Sequence, residues 1–526
     1  MIKDEIKSLL KDKGFEGKID HPSIEKFGDF SVRGDIDLKE ENDLIEKVEK
    51  VAGFTNIFVK KEKLIEEAKE IGNEKWKKEI ESVGKGKTVV IDYSAPNIAK
   101  PFGIGHLRST DIGQAIYNIY EILGWKCIGD NHLGDWGTQF GKLMVAMTNL
   151  DWNSKDPAEL TIDDMEKLYI KFHEEAEKKP ELEDEAREWF KKLEEGDKRA
   201  RELWQYCINA SWKEFNRVYG ILGVKIDFAY GESFYEDKME AVIDDLRNKN
   251  IVTKSEGAEI VEFENMPPAM VTKTNNTTTY FTRDLATIKY RVETWNPDLI
   301  IYEVGSDQIL HFRQVFETAK RLGYDRNFVH IPHGMIRWAD GKFSTRSGHT
   351  IHLEEVIEKA MEEAKKIAPE NNEEKIKAVA IGAIKFNDLA QDPKRDIIFD
   401  WDKVMSMDGN SGPYLQYTYA RCQSVLEKSQ KTAQINNEDK LELEEENLLR
   451  EFYIFEEKII EAAERFSPSV VAEYLLGLAR KYNEFYGKCR VIGEEAEERR
   501  LFLTQSTAKI LKLGLGLLGI EVLEKM

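Results

Sequence analysis

The sequence predicts an α/β protein built on a parallel sheet with both faces covered. A helical insertion interrupts the sheet, a small α+β module precedes it, and an all-α bundle follows. Three observations carry this. Apolar β-type runs alternate with amphipathic helical stretches between residues 88 and 334, the pattern of parallel strands joined by crossover helices. The first run ends in a Gly-containing turn that opens a helix, so backbone N–H groups and the positive end of a helix dipole converge where an anion can sit. Beyond about Trp401 no strong strand pattern occurs, and long amphipathic stretches follow.

Residues 1–83 are rich in Lys and Glu, with helical patterns over Lys3–Lys11, Asp43–Val51 and Lys61–Ile80; between them EKFGDFSVRGD carries turn signals and aromatics. An N-terminal α+β domain is expected here. At Gly84-Lys-Gly-Lys the pattern changes, and residues 84–400 form the expected catalytic domain. TVVIDYS (88–94) reads as a buried strand. The helix from about Ile104 to Leu123 places Leu107, Ile112, Ile116, Ile119 and Leu123 at near-helical spacing, and WKCIGDNH (125–132) reads as a second strand. The densely charged helical stretch at about 145–225 is an insertion, after which LIIYEVG (299–305) and FVHIPHG (328–334) resume the sheet. Residues 401–526 form the expected bundle, with helices over Asp439–Glu464, Ser469–Tyr486 and Leu503–Leu518 and a polar loop at 430–440.

At 526 residues the chain exceeds one core; a prior of about 150 residues per domain suggests about three. Its 77 basic and 98 acidic side chains give a net charge of −21. That argues against a general nucleic-acid binder but leaves room for a local basic face. No run is long and apolar enough for a membrane span, and MIKDEIKSLLKDKG lacks the apolar core of a signal peptide. A cytoplasmic chain off the membrane is expected. Cys127, Cys207, Cys422 and Cys489 lie far apart, so reduced thiols are expected, with neither a metal site nor a disulfide framework.

Two distant segments fit one chemistry. SAPNIAKPFGIGHLRST (94–110) follows the first strand, and His106 sits at the predicted helix start after Gly103 and Gly105, with Lys100 nearby. A histidine there either caps the helix or donates to phosphate oxygens as charge develops. GKFSTRSGHT (341–350) is a Gly-bounded loop with Lys342 among small hydroxyl residues such as Ser344; such a loop closes over a phosphate with the lysine as a point charge. The pair suits a nucleotide-activating enzyme.

Other strings add candidates. NHLGDWGTQFG (131–141) is either a cleft lining at a strand's carboxyl end or a tight turn with Trp136 in the core. YGESFY (230–235) and YFTRDLA (280–286) each set a carboxylate beside a tyrosine, Glu232 with Tyr230 and Asp284 with Tyr280. Two such carboxylates suit a planar guanidinium if they converge, which a sequence does not reveal. In EVGSDQILHF (303–312), Gly305 and Ser306 allow close ligand approach, and Asp307 or Gln308 can bond a ribose or an amino-acid head group. SGPYLQYTYARCQ (411–423) and LARKYNEFYGKCR (478–490) interleave aromatics with Arg and Lys, either a nucleic-acid face or core flanked by snorkelling charges.

Taken together, these strings closely resemble arginyl-tRNA synthetases, of the class built on a Rossmann fold, over nearly the whole length. SAPNIAKPFGIGHLRST is similar to the family's first signature, NHLGDWGTQFG is among its most distinctive strings, and YGESFY, YFTRDLA, EVGSDQILHF and KFSTRSG occur in the family's order. SGPYLQYTYAR and the terminal LKLGLGLLGIEVLEKM resemble its anticodon-binding helical domain. The resemblance implies ATP-dependent activation of L-arginine and its transfer to tRNA(Arg), with Mg²⁺ accompanying ATP, in a monomer. It implies that Asn97 and Gln308 hold the arginine amino and carboxylate end. Glu232, Tyr280 and Asp284 would read the guanidinium. His106 and Lys342 would be catalytic, with Lys100, Gly103, Gly105, Gly305 and Ser344 completing the ATP site. Residues around Phe27–Phe30 would touch the tRNA elbow. Two positions depart from the family pattern: Gly103 stands where a histidine is usual, and Thr345 where the wider class has a second lysine. Gly103 motivates an alternative, a synthetase-derived tRNA-binding or regulatory protein with weak or no aminoacylation. A synthetase for another amino acid is disfavoured by the paired carboxylates.

Overall fold

The computed structural model describes residues 2–22, 25–38, 43–274, 277–338, 352–367 and 372–526. They belong to two units. One comprises Met1–Val83, Glu363–Ala390 and Trp401–Met526; the other comprises Gly84–Glu362 and Gln391–Asp400.

The first unit opens with α1 (Ile2–Asp12), which buries Ile2, Ile6 and Leu10 on one stripe. Strands β1 (Ile19–Asp20), β2 (Phe30–Arg33), β3 (Ile45–Val51) and β4 (Phe54–Val59) make an antiparallel sheet in the order β1-β2-β4-β3. The expected helix at Asp43–Val51 is therefore corrected to a strand. A two-residue turn decides it: Ala52 and Gly53 both take positive φ (52° and 82°), the twist a tight hairpin needs. Pairing with the buried β4 then outweighs the helix propensity of the Lys/Glu-rich run. The expected helix Lys61–Ile80 is split into α2 (Lys61–Glu70) and α3 (Glu74–Glu81). Gly72 takes a φ of 74° between them, and the Asn73 side chain caps α3 by accepting the Trp76 N–H.

In the second unit, β5 (Thr88–Asp92) leads to α4 (Ile104–Ile122) and β6 (Lys126–Asp130). The insertion follows as α5 (Thr138–Thr148), α6 (Ile162–Ala176), α7 (Glu181–Glu194) and α8 (Lys198–Leu222), and then α9 (Met239–Asn248). Strands β7 (Val252–Ser255), β8 (Ala258–Val261) and β9 (Ala269–Thr272) form a small antiparallel sheet that the sequence patterns do not reveal. Then come α10 (Tyr280–Trp295), β10 (Leu299–Gly305), α11 (Ile309–Arg321), β11 (Asn327–His333) and β12 (Ile336–Trp338). The helix α12 (Leu353–Ile367) begins in this unit, α13 (Glu373–Leu389) belongs to the first, and β13 (Ile397–Phe399) pairs in parallel with β12.

The main sheet is all parallel, in the order β11-β10-β5-β6. The chain crosses from β5 to β6 on one side and resumes at β10 on the other, so the order reverses between β5 and β10. Ligand crevices form outside the carboxyl ends of strands at such a reversal. One face is packed by Leu285, Ile288, Phe312 and Val315 against Val90, Ile128, Ile300 and Tyr302.

The remainder of the first unit is α14 (Trp401–Val404), α15 (Gly412–Lys428), α16 (Leu443–Glu464), α17 (Ser469–Lys488) and α18 (Glu497–Leu517). The aromatic–basic stripes divide by face. Tyr419, Tyr482 and Phe485 are core. Tyr417 and Tyr486 are exposed, and the Arg421 guanidinium lies 4.9 and 5.3 Å from their ring centroids. Phe30, expected near a tRNA elbow, is fully buried, with its ring 5.8 Å from that of Tyr453; Phe27 is partly exposed. Among the described residues, no helix is long and apolar enough to cross a membrane.

Candidate active site

The loop leaving β5 is strained. Ser94, Ala95 and Ala99 take φ of 74°, 39° and 60°, a region that costs a residue with a Cβ about 1 kcal/mol or more. Neighbours hold it there. Ser109 Oγ accepts the Ser94 N–H at 3.0 Å, Asn131 Oδ1 accepts the Ala95 N–H at 2.9 Å, and Ser211 Oγ accepts the Ala99 N–H at 2.8 Å. A directed chain of hydroxyls runs behind the loop. Asn131 Nδ2 donates to Tyr219 OH (2.9 Å), leaving that hydroxyl to donate to Ser94 Oγ (2.9 Å). Ser94 Oγ then meets Thr110 Oγ1 at 2.8 Å, and Thr110 Oγ1 donates to the His106 carbonyl at 2.6 Å. Ser211 and Tyr219 come from α8, so the helical insertion braces the loop.

Gly103 is the N-cap of α4. His106 Nδ1 accepts the Gly103 N–H at 3.1 Å, which fixes the proton of the neutral ring on Nε2. Burial lowers its pKa to about 4, helped by the positive charges of Lys100 and His333. At neutral pH His106 is thus an uncharged donor. A Cβ on Gly105 would meet nothing within 4 Å, so the helix N-terminus is open to a ligand there. Lys100 is exposed and reaches over the Tyr169 ring, 5.5 Å from its centroid.

The turn after β6 joins this loop to the carboxylates. Asn97 and Gly134 form an isolated parallel bridge, and a Cβ on Gly134 would lie 2.4 Å from Asn97 Oδ1; only glycine lets the two chains approach so closely. The neighbouring Leu133 carbonyl accepts the Glu232 N–H at 3.0 Å. Asp135 accepts from Ser233 twice, from N–H at 2.7 Å and from Oγ at 2.6 Å. In the string 131–141 the turn contacts the candidates Asn97 and Glu232, and Trp136 is buried in the core, as the second reading of the string has it.

Glu232 and Asp284 converge closely enough that the charge of Asp284 acts on Glu232. Burial pushes Glu232 up to about 7; Arg283 opposes this, and the charges of Asp284, Asp135 and Glu236 add to it. Asp284 moves the other way: burial works against its charge, but the hydrogen bond and charge of His311 hold it below the usual range. His311 Nε2 lies 2.5 Å from Asp284 Oδ2. The Tyr280 ring stands at the rim, 65% exposed, and the Glu232 charge raises its pKa after burial does. Tyr230 is turned elsewhere, its ring 4.4 Å from that of Phe234.

At the other carboxyl ends, β10 terminates at Gly305 and Gln308 closes a single 3-10 turn ahead of α11. Gln308 Nε2 reaches Asp307 Oδ2 at 3.3 Å, and His311 is three residues on, so the first turn of α11 faces the carboxylate slot. Glu303 is fully buried; it meets His333 Nδ1 at 2.9 Å, and its carbonyl accepts from Ser109 Oγ at 2.9 Å. Lys342 and Ser344 lie outside the described residues. The flanking residues are tied to the start of α4. Arg108 donates to the Gly334 carbonyl at 2.8 Å, and Leu353 donates its N–H to the Phe102 carbonyl at 2.8 Å.

Comparison with known proteins shows the family. Residues 69–401 match the family model of the tRNA synthetases class I (R), catalytic domain, and 415–526 match the DALR anticodon binding domain. The chain is 43% identical to the arginine–tRNA ligase of Halothermothrix orenii over 503 residues, covering 93% of this chain and 88% of that one. The chain belongs to the arginyl-tRNA synthetase family. Another ligase of that name, from Clostridioides difficile, is 43% identical over 92% of this synthetase and 88% of its own length. The fold is that of the arginyl-tRNA synthetases of Plasmodium falciparum (TM-score 0.84, 24% identity, 100% of this chain and 98% of that one) and Thermus thermophilus (0.84, 23%, 100% and 99%).

Several residues that shape the site of this synthetase are absent from the sequence-level candidates. Arg291 is fully buried under the sheet ends; its Nη2 pairs with Asp92 at 2.8 Å and its Nε with Asp130 at 2.9 Å. Ser211 and Tyr219 also join in, and Asn131, Asp135, Arg283 and His311 lie within the motif strings without a role of their own there. No spacing signals them, because their partners are distant in sequence. A cavity of about 1050 Å³ lies between the insertion and the Phe102–Leu353 edge, but neither His106, Glu232, Asp284 nor Gln308 lines it. Among the described residues Glu442, Glu444 and Cys489 gather within 4.8 Å. Lys488 and Arg500 already answer their charge, at 2.7 Å from Glu444 and 2.5 Å from Glu442.

Proposed function

We propose that this chain activates L-arginine with ATP and transfers it to the 3′-terminal adenosine of tRNA(Arg), releasing pyrophosphate and AMP. The observation that carries the reading is that Glu232, which the charge of Asp284 reaches, hangs on the turn after β6, and that this turn bridges to Asn97 in the loop leading into α4 and His106. The arginine carboxylate attacks the α-phosphorus of ATP, forming arginyl-adenylate and expelling pyrophosphate. The terminal ribose hydroxyl of the tRNA then attacks the adenylate carbonyl and AMP leaves. No protein nucleophile takes part, so catalysis rests on positioning and charge stabilisation.

His106 Nε2–H donates to the phosphate as it gains charge, and Lys342 supplies a cation to the same oxygens. Gly103 and Gly105 present backbone at the helix start, and Lys100, Gly305 and Ser344 complete the nucleotide side. Gly103 keeps the helix N-cap and donates to His106, so its lack of an imidazole leaves one donor oriented. Mg²⁺ enters with ATP as part of the substrate, and no protein ligand is assigned to it. Asn97 and Gln308 hold the arginine head group, while Glu232, Tyr280 and Asp284 take the guanidinium. Lysine is rejected because an ammonium cannot satisfy two carboxylates set for a planar fork. The C-terminal bundle serves the anticodon arm, and the enzyme works as a cytoplasmic monomer. The comparisons favour this over a regulatory tRNA binder without activity.

Asp284→Ala tests the assignment through arginine-dependent pyrophosphate exchange in the presence of tRNA. Exchange should be lost while ATP binding survives; an unchanged arginine KM would defeat it.

A further inference from the structure

We propose that Arg283 is a positioning residue for the guanidinium slot, holding the Glu232 carboxylate as the charged acceptor that meets the substrate. The inference rests on the reading that Glu232 receives the arginine side chain. Arg283 lies directly before Asp284 on α10, yet it turns to the opposite carboxylate. Its Nη2 is committed to Glu236 at 2.7 Å, and its Nη1 stands 3.5 Å from Glu232 Oε2. The first contact is a full hydrogen bond; the second is an ion pair slightly too long to consume a lone pair. Its Cζ lies 5.5 Å from the Tyr280 ring centroid, so the guanidinium is wedged between the rim aromatic and Glu236. The side chains of Arg283 and Glu232 are 11% and 14% exposed.

Such placement gives Glu232 a nearby positive charge without filling its acceptor sites. The charged groups facing Glu232 are Arg283 and Asp284 of α10, Asp135 of the turn after β6, and Glu236 of its own 3-10 turn, with the Tyr280 hydroxyl beside them. Three of these are acids. Arg283 is the cation that counters them, and with it in place burial still leaves Glu232 at about 7. Without it the carboxylate would hold its proton through the neutral range, and a protonated acid offers a guanidinium no ion pair. The rival geometry, Arg283 as a stand-in that competes with the substrate, predicts the opposite sign.

Arginine KM by pyrophosphate exchange with tRNA, from pH 6.5 to 9, separates these readings in wild type, Arg283→Gln, Arg283→Lys, Glu236→Gln and Glu232→Gln. An arginine beside a carboxylate lowers its pKa by about one to two. At pH 7 Arg283→Gln should therefore raise KM about 5- to 50-fold, shrinking to about twofold or less at pH 9, with kcat at saturating arginine nearly kept. Arg283→Lys should restore most of the pH 7 affinity. Glu236→Gln frees the guanidinium to close on Glu232 and removes one acid that raises its pKa, so KM should rise most at pH 9, where Glu232 is ionised in both proteins, and less at pH 7; it also serves if Arg283→Gln does not fold. A fall in KM for Arg283→Gln, a rise equal at every pH, or a wild-type KM for Glu236→Gln would overturn the proposal. Glu232→Gln separates the two levels: if it leaves arginine KM unchanged, the slot assignment itself fails.

Discussion

Arg291→Met is the sharpest probe of what holds the site together. Arg291 and Asp130 have fully buried side chains and Asp92 is 6% exposed. One guanidinium bonds the last residue of β5 and the last of β6. The strained Ser94–Ala99 loop and the Asn131–Asp135 turn leave from those two residues. Removing the cation leaves two carboxylates in a site already dry enough that burial raises Asp130 despite its partner. Breaking a buried pair on one side costs about 3–5 kcal/mol. At about 1.4 kcal/mol per factor of ten, amide protection in β5 and β6 should fall about 10²- to 10⁴-fold. Hydrogen exchange of peptides covering 88–94 and 126–131 reads this directly. The sign of the pH dependence follows from the charge. An unfolded aspartate titrates near about 3.9, and the folded pKa of Asp130 lies higher. The native state then binds more protons than the unfolded state, and stability falls as pH rises through that interval. The defect should be smaller at pH 5 than at pH 8. Adding Asp92→Asn and Asp130→Asn should recover much of the loss, since an apolar or neutral replacement of the whole cluster is tolerated better than a broken one. Equal protection in wild type and variant would refute the reasoning, as would a loss identical at both pH values.

Two further outcomes are expected. Tyr219→Phe removes the hydroxyl between Asn131 and Ser94 and should lower kcat about tenfold through the loop, in line with one lost buried hydrogen bond of about 1–1.5 kcal/mol; arginine KM should hardly move, and a kcat equal to wild type would count against the bracing role. In the wild-type enzyme, Glu232 at about 7 must release its proton to receive a guanidinium, so arginine KM should rise as pH drops below 7, approaching about tenfold per pH unit. A KM flat between pH 6 and 8 would show that Glu232 is already ionised or takes no part.

The sequence by itself determined the elements whose signals are local. TVVIDYS reads as a strand because a strand buried on both faces is apolar throughout. The glycines around His106 mark a helix start, and the long periodic stretches after Trp401 mark a bundle. It also supplied the strings that carry the family. It misread IEKVEKV, because a charged run takes its conformation from the strand it pairs with and from a two-residue turn. Only the tertiary structure decided that the charge of Asp284 reaches Glu232, that Arg283 stands against Glu232 and His311 against Asp284, and that Arg291 ties two strand ends. The reason is physical. Local conformation depends on near neighbours along the chain, whereas the charge state of a buried acid depends on which distant groups the fold brings within a few ångströms and on how much water it excludes.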